Sequence, residues 1–81
     1  MFNERISIIT TFKDGKRKNY DWYDAVSSTM DDCFTTEEEL SWYILESIAD
    51  DEEIQEAVAI EAESVIYDRG KEVSRISVTI R

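Results

Sequence analysis

Carboxylates are the reactive groups in which this 81-residue chain is richest, with 19 Asp and Glu in total. Two compact runs, Asp31-Asp32 and residues 50–53, offer the oxygen ligands that Mg²⁺ and Ca²⁺ prefer. Neither run has the alternating acids and the glycine of a calcium-binding loop. Helix caps and exposed loops explain both runs more simply. The sequence therefore predicts no metal ion and no other cofactor.

The residue types on which most enzymes depend are missing. The chain has no His, which removes the commonest general base and metal ligand. The single cysteine, Cys33, has neither an imidazole to activate it nor a second thiol for a disulfide or a Cys-rich metal site. Two glycines, Gly15 and Gly70, are too few for a phosphate-binding loop. We expect a protein without enzymatic activity, in which Cys33 is an unreactive, half-buried thiol.

Charge is distributed unevenly along the chain, whose formal net charge is −10. Residues 1–18 and 69–81 are each net basic, whereas residues 19–68 contain sixteen acids and no Lys or Arg. Helical surfaces usually mix the two signs, because opposite charges four residues apart stabilise a helix and like charges destabilise it. The acidic stretch is therefore either a solubilising surface or a surface shaped for a basic partner.

The first third of the chain predicts a hairpin followed by a short helix. Residues 5–12 and 16–23 have strand composition and flank the turn sequence Asp14-Gly15. The secondary structure of residues 24–34 is predicted less clearly, but apolar residues recur there every four positions, which favours a helix. In the first strand Ile6, Ile8 and Phe12 are expected to share one face, with Ser7 and Thr11 on the other. In the second strand Tyr20 and Trp22 are expected to face one way, and Asn19, Asp21 and Tyr23 the other.

The middle of the chain predicts a well-defined helix. Thr36 and Glu39 have the spacing of a capping box, and three acids occupy the first turn. Leu40, Tyr43, Ile44 and Ile48 then form an apolar stripe at helical spacing. The acidic run 50–53 ends this helix, and Asp51 can cap a second one.

The C-terminal third holds one ambiguous segment and one clear strand. Residues 54–67 fit a helical pattern and a strand pattern, and their Ala and Glu content favours helix. Residues 72–80 alternate as a strand. We therefore predict one α+β domain over residues 1–81, with a three- to four-stranded antiparallel sheet under one or two helices. The predicted order is ββααβ, with ββαββ as the alternative if 54–67 is a strand. The uncovered sheet face is expected to be rich in Ser, Thr and Arg.

Size, charge layout and lack of His together resemble a class of small acidic intracellular inhibitors, many of them encoded by phages. Such proteins occupy the nucleic-acid groove of a nuclease, a restriction enzyme, a CRISPR effector or a polymerase. Duplex DNA carries one negative charge per roughly 1.7 Å, so sixteen carboxylates match the charge on about 27 Å of duplex. The resemblance implies a DNA mimic that blocks a basic, nucleic-acid-binding protein. The alternative is a small structural or assembly protein, such as a homo-oligomer, whose acids confer only solubility.

The local sequence predicts that the binding residues lie at the two exposed ends of the best-defined helix. Trp42 lies about 100° around that helix from Tyr43, so it either covers the rim of the core or anchors a partner. No direct nucleic-acid binding is expected, because the basic run 16–18 is short. No membrane association and a cytoplasmic location are expected, because no apolar run or signal peptide is present. The predicted partner-binding residues are Glu37, Glu38, Trp42, Asp50, Asp51, Glu52 and Glu53.

Overall fold

The chain forms two β-hairpins and a helical connection that covers one face of their shared sheet. The computed structural model describes all residues, 1–81, and confirms the α+β class with a four-stranded antiparallel sheet of order β2-β1-β3-β4. The elements are β1 (Phe2–Thr11), β2 (Arg17–Ser27), a 3-10 turn (Met30–Asp32), α1 (Glu37–Ser47), α2 (Glu52–Gln55), β3 (Ala59–Asp68) and β4 (Lys71–Ile80).

Each hairpin closes on a turn that requires positive φ. In the first turn Gly15 has φ 87°, and the Lys16 amide donates to the Asp14 carboxylate at 3.0 Å. In the second turn Arg69 and Gly70 have φ values of 53° and 80°, which is the pattern of the mirror-image turns that suit the twist of a hairpin. The two hairpins then join through antiparallel pairing of β1 with β3.

The core lies between the helices and one face of the central strands. Ile6 and Ile8 of β1 pack against Leu40 and Ile44 of α1, and all four are at most 1% exposed. Burying each such side chain stabilises the fold by about 1.5–3 kcal/mol. Ile76, Val78 and Ile80 of β4 extend the core as predicted. No helix of the structure combines the length and the apolar character needed to span a membrane.

The helix favoured over residues 54–67 is wrong. Only Glu52–Gln55 is helical there, and Ala59–Asp68 forms the central strand β3. Its even-numbered residues, from Ile60 to Ile66, pair with β1 and are buried beneath the helices. Burial between two strands therefore outweighs the helix propensity of Ala and Glu. The element order follows the strand alternative, with a short second helix before the C-terminal hairpin.

The helix expected over residues 24–34 is also wrong in its first half, because β2 continues through Ser27. A bulge in β2 shifts the pairing register between Ile6 and Ser7. Bulges turn adjacent side chains toward one face. Tyr23, predicted to lie on the face opposite Trp22, therefore packs with Trp22 against the core.

The uncovered face of the sheet differs from the expected Ser, Thr and Arg surface because it carries both signs of charge. Pairing across strands places acids beside bases, as when Arg5 of β1 lies directly opposite Asp24 of β2. The acids on this face are Asp21, Asp24, Glu61, Glu63 and Glu72.

Candidate protein-binding surface

Acidic residues without nearby bases are concentrated in the connection between the hairpins. We call residues 28–58 the helical layer, and residues 1–27 with 59–81 the hairpin sheet. The helical layer contains eleven acids and no Lys or Arg, so its formal charge is −11. The hairpin sheet contains eight acids and nine bases, for a charge of +1. The sixteen-acid stretch seen in the sequence is thus divided between two environments.

The two regions also differ in how many of their acids form ion pairs. Six of the seven ion pairs join groups within the hairpin sheet, including Arg17 with Glu61 at 3.1 Å and Arg75 with Glu63 at 2.7 Å. The remaining pair joins Lys18 to Glu53, the only helical-layer acid with a basic partner. Ten carboxylates of the helical layer therefore have no ion pair.

Helix α1 projects its acids and its Trp away from the core. It begins at Glu37 because the Thr36 hydroxyl accepts the Glu39 amide at 3.2 Å, as the capping-box spacing predicts. This start places Glu37 and Glu38 in the exposed first turn. Burial of Leu40, Ile44 and Ile48 then directs Trp42 to the outside, where it is 64% exposed. Trp42 therefore does not cover the core.

A surface depression lies beside Trp42 on the outer side of α1. Trp42 and Tyr43 form part of its lining, with Phe34 next to Tyr43 at a ring-centroid distance of 4.8 Å. Three carboxylates surround these rings, and none has an ion pair: Glu38, Glu39 and Glu46. An exposed aromatic ring flanked by free carboxylates has the composition expected of a site for a cationic group.

The predicted acids 50–53 lie beyond the other end of α1, an 11-residue helix about 16 Å long. Two of them serve the fold. Asp51 caps α2 by accepting the Ile54 amide at 3.1 Å. Glu53 binds Lys18 and accepts from the Tyr20 hydroxyl, and the hydrogen bond from Lys18 lowers the pKa of Glu53 and raises that of Lys18. Asp50 and Glu52 are exposed.

The structure thus brings Glu38 and Trp42 together and leaves Glu37 beside them in the first turn, but it holds acids 50–53 in a separate group. The sequence prediction omitted Glu39 and Glu46. A signal for them was present, because positions 39, 42, 43 and 46 have the i, i+3, i+4, i+7 spacing of one helix face.

One carboxylate is buried, and it holds the two regions together. Glu4 of β1 is 2% exposed and accepts hydrogen bonds from the Phe34 amide at 2.8 Å and the Ser64 hydroxyl at 2.9 Å. Burial, and secondarily the Glu4 charge, raises the pKa of the Cys33 thiol. Cys33 is buried, with 5% of its surface exposed, rather than half-buried. The arrangement disfavours a reactive thiolate.

Comparison with protein-family models, with curated proteins and with solved structures finds no match for this chain. No group of three or more carboxylate or thiol side chains has the arrangement of a metal site.

Proposed function

We propose that this protein is a non-enzymatic inhibitor that binds the basic, nucleic-acid-binding surface of a partner protein through its helical layer. The partner class is a nuclease, restriction enzyme, CRISPR effector, polymerase or similar protein with a groove of Lys and Arg. The helical layer acts as a mimic of nucleic acid, and its target cannot bind the two at once.

The observation that carries this proposal is the unpaired charge of the helical layer. Ten of its eleven acids have no ion pair, whereas the hairpin sheet pairs most of its acids with its own bases. Ten unpaired carboxylates match the charge on about 17 Å of duplex DNA. A basic groove that attracts DNA phosphates would attract this layer for the same reason and at a high rate.

Affinity capture followed by displacement tests the proposal. The protein is immobilised through a tag attached after Arg81. This residue belongs to the hairpin sheet, so the helical layer stays accessible. Nuclease-treated lysate of the cells that make it is passed over, and bound protein is eluted with a duplex DNA or RNA oligonucleotide. We expect a basic protein to elute, and its oligonucleotide binding to fall as free inhibitor is added. Captured proteins that bind oligonucleotide equally well with and without this protein would contradict the proposal.

A direct-binding control separates mimicry from bridging. The purified protein alone is expected not to shift a labelled oligonucleotide, since the two carry the same sign of charge. A shift produced by this protein alone would contradict mimicry, because nucleic acid could then bridge this protein and the captured partner.

A further inference from the structure

We propose that the depression between Trp42 and Tyr43 binds one arginine side chain of the partner. This inference rests on the proposed function, because it assigns a chemical preference to one point of the helical layer.

The helix geometry builds a four-cornered site. Residues three and four apart on a helix are surface neighbours, with Cβ atoms about 5–6 Å apart. Glu39 is therefore adjacent to both Trp42 and Tyr43, and so is Glu46 from the other side. The result is two rings along the sides of the depression and two carboxylates at its ends.

The rings are held in different ways. Tyr43 is fixed by aromatic contacts to Tyr23 and Phe34, at centroid distances of 5.7 and 4.8 Å. Burial, together with neighbouring Tyr23, raises the pKa of the Tyr43 phenol. Trp42, by contrast, has most of its surface open to solvent. One wall is thus rigid, and the other presents an indole to an incoming group.

The chemistry of these walls selects a guanidinium. Glu39 has spare acceptor capacity, because its capping contact uses only one hydrogen bond from Thr36 to Oε1. An indole face attracts cations, and a planar guanidinium stacks on it while its N–H groups remain free to bind carboxylates. A lysine ammonium is more strongly hydrated and cannot stack in this way. An apolar group would desolvate the two glutamates without compensation.

Binding of two short peptides of equal charge tests this preference. Tetra-arginine and tetra-lysine are titrated at low salt into ¹⁵N-labelled protein, and the two indole N–H signals are followed by NMR. Trp22 serves as an internal reference, because its Nε1–H donates to Ser47 at 2.9 Å in a partly buried position. We expect tetra-arginine to bind about two to five times more tightly than tetra-lysine and to shift the Trp42 signal selectively.

Variants assign the preference to the depression. Trp42→Ala is expected to reduce tetra-arginine affinity to the tetra-lysine level, and Trp42→Phe to retain part of the difference. Leu45→Ala is the matched control, because Leu45 is 53% exposed on the same helix but does not line the depression. Unchanged urea unfolding of Trp42→Ala would show that the fold is intact.

Equal affinity of the wild type for the two peptides, or a preference that survives Trp42→Ala, would overturn the arginine site. Either result would leave competition with nucleic acid untouched, because that is measured separately with the captured protein. Failure of that competition would remove the proposed function without altering the peptide preference.

Discussion

The helical layer and the hairpin sheet handle charge in opposite ways. The hairpin sheet has eight acids and nine bases and contains six ion pairs of its own. The helical layer has eleven acids and shares one ion pair with the sheet. Because unpaired like charges destabilise a compact chain, the layer's charge is not explained by the needs of folding. The acids of the sheet serve structure, and most of those in the layer are available for binding.

Removal of a buried acid should have the largest effect on stability. Glu4→Ala leaves the Phe34 amide and the Ser64 hydroxyl without their partner, and each unsatisfied buried group costs about 1–3 kcal/mol. We expect a loss of roughly 3 kcal/mol in the free energy of unfolding, measured with urea. Glu38→Ala in the helical layer is the control and should change it by less than about 0.5 kcal/mol. Similar losses in the two variants would break the distinction between the regions.

The next largest effect on stability should distinguish two adjacent acids of the helical layer, Asp50 and Asp51. Asp51→Ala should destabilise the protein by about 1 kcal/mol, because Asp51 caps α2, whereas Asp50→Ala should have little effect. Urea unfolding of both variants provides the measurement. If Asp50 proves as important as Asp51, the helical layer contains structural contacts that its hydrogen bonds do not reveal.

Local signals explain which parts of this comparison were predictable. Thr36 and Glu39 start α1, and the apolar stripe from Leu40 to Ile48 orients it, so its first-turn acids and Trp42 could be identified from sequence. Strand β3 could be offered only as an alternative to a helix, because its burial depends on pairing with β1, about fifty residues away. The ion pair of Glu53 with Lys18 is equally non-local. Glu53 was therefore predicted to be a partner-binding residue, although it contributes to the fold.

Stability at alkaline pH should report on the boundary between the two regions. The raised pKa values of Cys33 and Tyr43 mean that the folded state holds these protons more tightly than the unfolded state does. Their contribution is complete below the unfolded pKa values, about 8.5 and 10, and is lost as pH rises through the folded values. Urea unfolding between pH 8 and 11 should show this decline, and Tyr43→Phe should make it shallower. An identical decline in that variant would exclude Tyr43 as a cause.

Added salt should have the smallest effect on the stability of the protein. Added NaCl screens repulsion among the unpaired acids, so 0.5 M NaCl should raise the Tm at pH 7 by roughly 2–4 °C, equivalent to about 0.5 kcal/mol. The neutralised variant Glu37→Gln/Glu38→Gln/Glu46→Gln should have a higher Tm at low salt and a weaker response. A Tm that falls with salt in both proteins would mean that the ion pairs of the hairpin sheet dominate.

Displacement of nucleic acid by charge-reversed variants is the most direct test of the helical layer as the binding surface. A labelled oligonucleotide is bound to the captured partner, and its release is measured as each variant is added. Glu37→Lys/Glu38→Lys/Glu46→Lys should displace it at least about tenfold less effectively than the wild type. Lys13→Glu/Lys16→Glu is the control in the hairpin sheet. It breaks only the contact of Lys16 with Asp14 within the first turn and avoids Arg17 and Lys18, whose ion pairs reach Glu61 and Glu53. This control should displace as well as the wild type. The opposite result, with only the hairpin variant losing activity, would place the interface on the basic residues and contradict mimicry by the helical layer.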